Sequence, residues 1–96
     1  MQYDRVMEKK QFTRIAKALA DPRRLEILQQ IGTEDEVSCA SVKECHDVTA
    51  ATLSHHLKEL ESAGLIDVRK ESKYAFVSLR RPVWKAYVKE LKKIGR

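Results

Sequence analysis

The sequence predicts a mostly helical α+β domain built around one exposed helix and one basic hairpin. Three observations carry that expectation. In residues 49–64, TAATLSHHLKELESAG, the leucines Leu53, Leu57 and Leu60 recur at helical spacing on one core-facing stripe. Residues 65–79 then hold two alternating runs, Leu65-Ile-Asp-Val-Arg-Lys and Tyr74-Ala-Phe-Val-Ser-Leu79, rich in the Val, Ile, Tyr and Phe that favour strands. Charge also changes sign along the chain: residues 1–68 hold 9 Lys and Arg against 12 Asp and Glu, and residues 69–96 hold 10 against 2.

The helix over 49–63 shows an unusual outer face. Ala50, Ala51, Ser54, His55 and Lys58 replace the usual Glu/Lys mixture. Small residues permit close approach to a partner, and Ser and His offer donors and acceptors at short reach. A helix entering a DNA major groove needs both. A solvated face on an ordinary core helix would carry the same residues, so this stretch alone leaves the two readings open. The segment after it moves the balance. Gly64 stands where a C-terminal glycine belongs and releases the chain into the first strand. The interruption Glu71-Ser-Lys is short enough only for a tight hairpin, whose tip gathers Arg69, Lys70 and Lys73 with Glu71 opposing them. A presented helix followed at once by a basic ribbon is a winged helix-turn-helix layout, with residues 65–79 as the wing.

The remaining elements follow from local signals. A first helix is expected over residues 3–20, with Val6, Phe12, Ile15, Ala16 and Leu19 in register. Asp21-Pro22 reads as a cap and first-turn proline opening a second helix, which Gly32 closes; its core stripe is Leu25, Ile27, Leu28 and Ile31. Val37 and Ser38 form a short strand against the hairpin, and a third helix covers about Ala40 to His46. The Thr49 hydroxyl caps the fourth helix. From Pro82 a last helix runs to Ile94, with Val83, Trp84, Tyr87, Val88 and Leu91 on an apolar side.

Ninety-six residues make a single domain, 1–96, with a modest core that gains from a partner subunit. No apolar run approaches the roughly 18 residues that cross a bilayer. No signal segment opens the chain, so a cytoplasmic location and no membrane partner are expected. Two cysteines suit a reducing compartment. The basic hairpin and tail give a directional footprint for phosphates, although a basic tail alone is often only solubilising.

The histidines and cysteines divide by position. His55, on the outer face beside Ser54, is a candidate base or phosphate contact; His56 faces the core as a structural histidine. His46 ends the third helix, where an imidazole can assist exposed carbonyls. Cys39 and Cys45 read as small buried hydrophobes. The competing reading is a thiol switch, but helix residues six apart are separated by about 9 Å, too far for a disulfide unless the helix unwinds. No glycine-rich phosphate loop or paired acids indicate an enzyme. Ser54 and His55, adjacent on a helix, do not face each other as a dyad.

Three words in order and spacing, ALADPRRLEIL at 18–28, TLSHHLKELESAGLI at 52–66 and VRKESKYAFVSL at 68–79, make the chain resemble the ArsR/SmtB family of winged-helix repressors over about residues 12–94. The resemblance implies a homodimer that binds an inverted-repeat operator in double-stranded DNA. It places Thr49, Ala50, Ala51, Thr52, Ser54, His55 and Lys58 in the major groove, and Arg69, Lys70, Lys73 and Tyr74 on backbone or minor groove. It also implies a dimer interface from the terminal helices, here Phe12, Ile15, Leu19, Trp84, Tyr87, Val88 and Leu91, aromatic-rich as interface cores are. Members that sense arsenic or cadmium carry a cysteine pair at positions aligned with Ser38 and Ala40, with Cys39 between them. Members that sense zinc use last-helix Asp and His, and residues 82–96 contain neither. The expectation is a repressor with no metal site and no cofactor; a thiol- or metal-responsive regulator, or a winged helix that binds protein and not DNA, is the alternative.

Overall fold

The computed structural model describes residues 7–96. Its elements run α1 (Lys9–Ala18), α2 (Pro22–Ile31), β1 (Val37–Ser38), α3 (Cys39–Cys45), α4 (Ala50–Ser62), β2 (Ile66–Glu71), β3 (Tyr74–Leu79) and α5 (Arg81–Ile94). The three strands form an antiparallel sheet in the order β1-β3-β2. Its inner face meets the helices through Val37, Val77 and Ile66, all buried. This is the winged helix-turn-helix arrangement, with β2 and β3 as the wing.

Each boundary has a local cause. The Asp21 carboxylate accepts the Arg24 amide at 3.0 Å, and Pro22 occupies the first turn of α2. Ser38 caps α3 through the Ser41 amide, and Thr49 caps α4 through the Thr52 amide, each at 3.1 Å. Gly64 adopts φ +83°, a left-handed conformation that side chains resist; a Cβ there would also stand 2.7 Å from the Gln11 amide nitrogen. The wing turns through Ser72 and Lys73, with Ser72 itself at φ 57°.

Several expectations need correction. The described part of the first helix starts at Lys9, because Met7 and Glu8 are non-helical and Met7 packs into the core. The start expected at residue 3, and Val6, lie outside the described residues. Ala16 is exposed and Ala18 buried, since Ala16 sits about 100° round the helix from Ile15. Leu25 is 37% exposed for the same reason: Arg24, Ile27, Leu28 and Ile31 form the inward arc of α2. The third helix begins at Cys39, not Ala40.

Candidate nucleic-acid interface

The fourth helix has two different faces. Leu53, His56, Leu57 and Leu60 are buried beneath it, while Ala50, Ala51, Thr52, Ser54, His55 and Lys58 are exposed together with Thr49 at its cap. The chain thus presents the small polar residues as one outward surface, and the leucine stripe anchors it.

A polar knot lies under this helix. Arg24 Nε donates to the Ala18 carbonyl at 2.6 Å and Nη1 reaches His56 Nδ1 at 3.4 Å. Guanidinium only donates, so His56 Nδ1 is the acceptor and its proton sits on Nε2. Burial holds the His56 pKa below its ordinary value; Asp21 opposes this, while the charges of Arg24, His55 and Arg23 add to it. Asp21 is in turn lowered, chiefly by the Arg24 amide. The ends of α1 and α2 are therefore tied to the middle of α4.

His46 does not serve the α3 carbonyls as expected. Its buried ring meets Gln30 Oε1 through Nε2 at 2.9 Å, fastening the end of α3 to α2. Cys39 is half-buried, and burial raises its thiol pKa, which disfavours the reactive thiolate. Cys45 is exposed, contrary to the expectation of a buried hydrophobe.

On the wing, Lys70, Lys73 and Tyr74 are exposed, Tyr74 at 59%, with the Lys73 ammonium 5.6 Å from the Tyr74 ring. Arg69 is differently placed. Its Nε and Nη2 donate to the two Glu36 carboxylate oxygens at 3.0 and 2.8 Å, and Nη1 donates to Glu71 at 3.0 Å. Its Cζ lies over the Phe76 ring, 4.6 Å from the ring centre. Glu71 is thus not the sole acid opposing the hairpin cations. Sequence reasoning missed Glu36, Arg24 and Gln30, each joined to its partner across a long stretch of chain.

A groove of about 440 Å³ separates α3 and α4 from the wing, floored by Leu53, Leu57 and Val68 and edged by Lys43, Lys58 and Lys70. It continues the surface on which the helix and wing residues lie.

Of the residues expected at a dimer face, Ile15 is 0% and Tyr87 5% exposed within the single chain. They are packed inside it, with Tyr87 against Phe12 at 5.3 Å between ring centres. Trp84, Val88 and Leu91 lie on the outer flank of α5, Leu91 at 40% exposure. Phe12 and Leu19 are half-buried on α1. Among the described residues no group of three or more His, Cys, Asp or Glu side chains could hold a metal ion, and no helix is long and apolar enough to cross a membrane.

Comparison with known proteins matches the helix-turn-helix domain family over residues 19–69. The HTH-type transcriptional regulator YceK of Bacillus subtilis is 39% identical over 75 residues, covering 77% of this chain and 75% of that protein. The cadmium resistance regulatory protein CadC of Listeria innocua is 33% identical over 64 residues, 67% of this chain but 54% of its own length. The homodimeric winged helix-turn-helix DNA-binding domain from Mycobacterium bovis superposes with a TM-score of 0.72 at 25% identity, over 90% of this chain and 79% of that one. Sequence words, fold and relatives agree: the chain belongs to the ArsR family of winged helix-turn-helix transcriptional regulators, which bind DNA and are not enzymes.

Proposed function

We propose that two copies of this chain form a homodimeric repressor that binds an inverted-repeat operator without a metal cofactor, each copy acting as a single DNA-binding unit. The observation that carries the reading is the exposed face of α4, small and polar over a buried leucine stripe. Such a face can lie in the major groove, with Ser54, His55 and Lys58 against bases or phosphates and Thr49 to Thr52 at the helix entry. Lys70, Lys73 and Tyr74 reach backbone or minor groove from the wing.

Dimerisation is supported by the apolar flank formed by Trp84, Val88 and Leu91, and by the homodimeric state of the Mycobacterium bovis domain. Ile15 and Tyr87 support that flank from inside the chain. Repression is supported by relatives named as repressors, among them the arsenical resistance operon repressor of Bacillus subtilis, 35% identical over 63 residues. Metal independence is supported by Ser38 and Ala40, which offer no thiolate where the cysteine pair of the resembled metal sensors would align.

Selection of bound sites from random DNA with purified protein tests the reading. Imperfect palindromes with half-sites about one turn apart, roughly 34 Å, are expected. Recovery of single asymmetric sites would overturn the two-fold arrangement. Micromolar zinc or cadmium added to the selected complex should leave it intact; release would show a metal site.

A further inference from the structure

The wing carries three cations, and they are not in equivalent states. Lys70 and Lys73 have no ion pair among the described residues. Arg69, in contrast, is gripped on both edges by carboxylates and covered on one face by Phe76. The paired fork to Glu36 is the strongest geometry available to a guanidinium and a carboxylate. With two acids on one base the trio carries a net charge of −1, so it offers an approaching phosphate no attraction of its own.

We propose that Arg69 is a wing-positioning residue and not a phosphate contact: held by Glu36 and Glu71, it sets the angle at which Lys70, Lys73 and Tyr74 meet DNA. Glu36 immediately precedes β1, which pairs with β3 at Val37 and Val77 and continues without a break into α3. Arg69 lies on β2, opposite Phe76 of β3. The clamp therefore ties the outer wing strand to the strand that leads into the helix preceding α4. Wing and recognition helix are kept in one frame. Isolated exposed ion pairs contribute little, but this one joins bidentate geometry, a second acid and ring stacking, the case in which such pairs matter.

The inference rests on the proposed DNA-binding mode, and one experiment separates the two. Operator affinity is measured against salt concentration for wild type, Arg69→Ala, Glu36→Gln and Lys70→Ala, with hydroxyl-radical footprints of each complex. Thermal unfolding confirms that each variant is folded. Lys70→Ala should lower the slope of log K against log salt by about 0.9, as one lost phosphate contact does. Arg69→Ala should weaken binding several-fold with the slope unchanged, because the wing lysines still reach phosphates but at displaced positions: protection under the wing shifts along the DNA while the major-groove protection remains. Glu36→Gln removes a negative charge and should nevertheless weaken binding, with the same footprint. A slope falling by about one in Arg69→Ala, or tighter binding by Glu36→Gln, would overturn the positioning role and leave the DNA-binding mode standing. Wild type that bound no DNA at any salt would overturn both.

Discussion

Beneath α4, three leucines are buried and His56 meets Arg24 in a part-buried knot; on the wing, Arg69 meets Glu36 and Glu71 in the open. Both arrangements underlie a surface proposed to face DNA, but by different physics. Burial of leucine does not depend on charge screening, and the part-buried polar groups under the helix are screened less than exposed ones. Wing charges lie within reach of solvent ions, with screening over about 8 Å at physiological salt. The helix should therefore be positioned by terms that also hold the fold together, and the wing by terms that do not.

The largest expected effect comes from the helix underside. Leu60 is completely buried, and Leu60→Ala should cost about 2–5 kcal/mol from lost transfer energy and the cavity left behind. Urea unfolding would report it as a lower midpoint. A loss within the range of surface substitutions would break the contrast between the two regions.

Removing one member of the part-buried knot is next. Arg24→Met leaves the Ala18 carbonyl and His56 Nδ1 without their donor, at about 1–3 kcal/mol for an unsatisfied buried group. The loss should be the same at low and high salt. If high salt abolished it, the knot would be acting as a surface ion pair.

The same knot should make stability depend on pH. Burial depresses the folded-state pKa of His56 below the 6.5 of an ordinary histidine. Between those two values the unfolded chain binds more protons, so stability rises with pH and falls as pH drops below 6.5. The groups facing His56 are Asp21, Arg23, Arg24 and His55. Asp21, lowered from 3.8, adds a separate loss at more acid pH. His56→Gln should flatten the upper window only, in unfolding curves taken across this range.

How far these regions could be read from sequence differs in the same way. The helix and its caps were legible because Asp21-Pro22, Thr49 and Gly64 act on neighbours one turn away, and because Leu53, Leu57 and Leu60 repeat at helical spacing. The hairpin was legible from alternation. The pairing of Arg69 with Glu36 was not legible because the two lie 33 residues apart, a distance across which no local pattern acts. Ile15 and Tyr87 illustrate a related limit. Periodicity identifies an apolar face but not whether its own chain or a partner covers it. Leu25 shows that a buried arc can include a polar residue, since Arg24 and not Leu25 joins Ile27, Leu28 and Ile31 on the inward side.

On the DNA side the contrast becomes one of specificity. Ser54→Ala or His55→Ala should relax base preference at a cost of roughly 1–3 kcal/mol on the preferred operator, with little loss on unrelated DNA. Lys73→Ala should weaken all sequences alike and flatten the salt dependence. Binding measured on selected and scrambled sites distinguishes them. If Lys73→Ala changed the preferred bases while the helix substitutions were silent, the wing and not α4 would be the reading element.

The smallest expected effect concerns folding through the wing. Glu71 is highly exposed and shares Arg69 with Glu36. Glu71→Gln should shift unfolding stability by no more than about 0.5 kcal/mol, the usual range for surface substitutions. The bidentate Glu36 pair remains, and β2 and β3 keep their full register from Ile66–Leu79 to Glu71–Tyr74. Urea midpoints in low and high salt should therefore coincide with wild type, while operator affinity falls modestly because the clamp has lost one arm. A stability loss comparable to that of Arg24→Met would mean that the wing, too, is held by terms essential to the fold, and the two regions would no longer differ in kind.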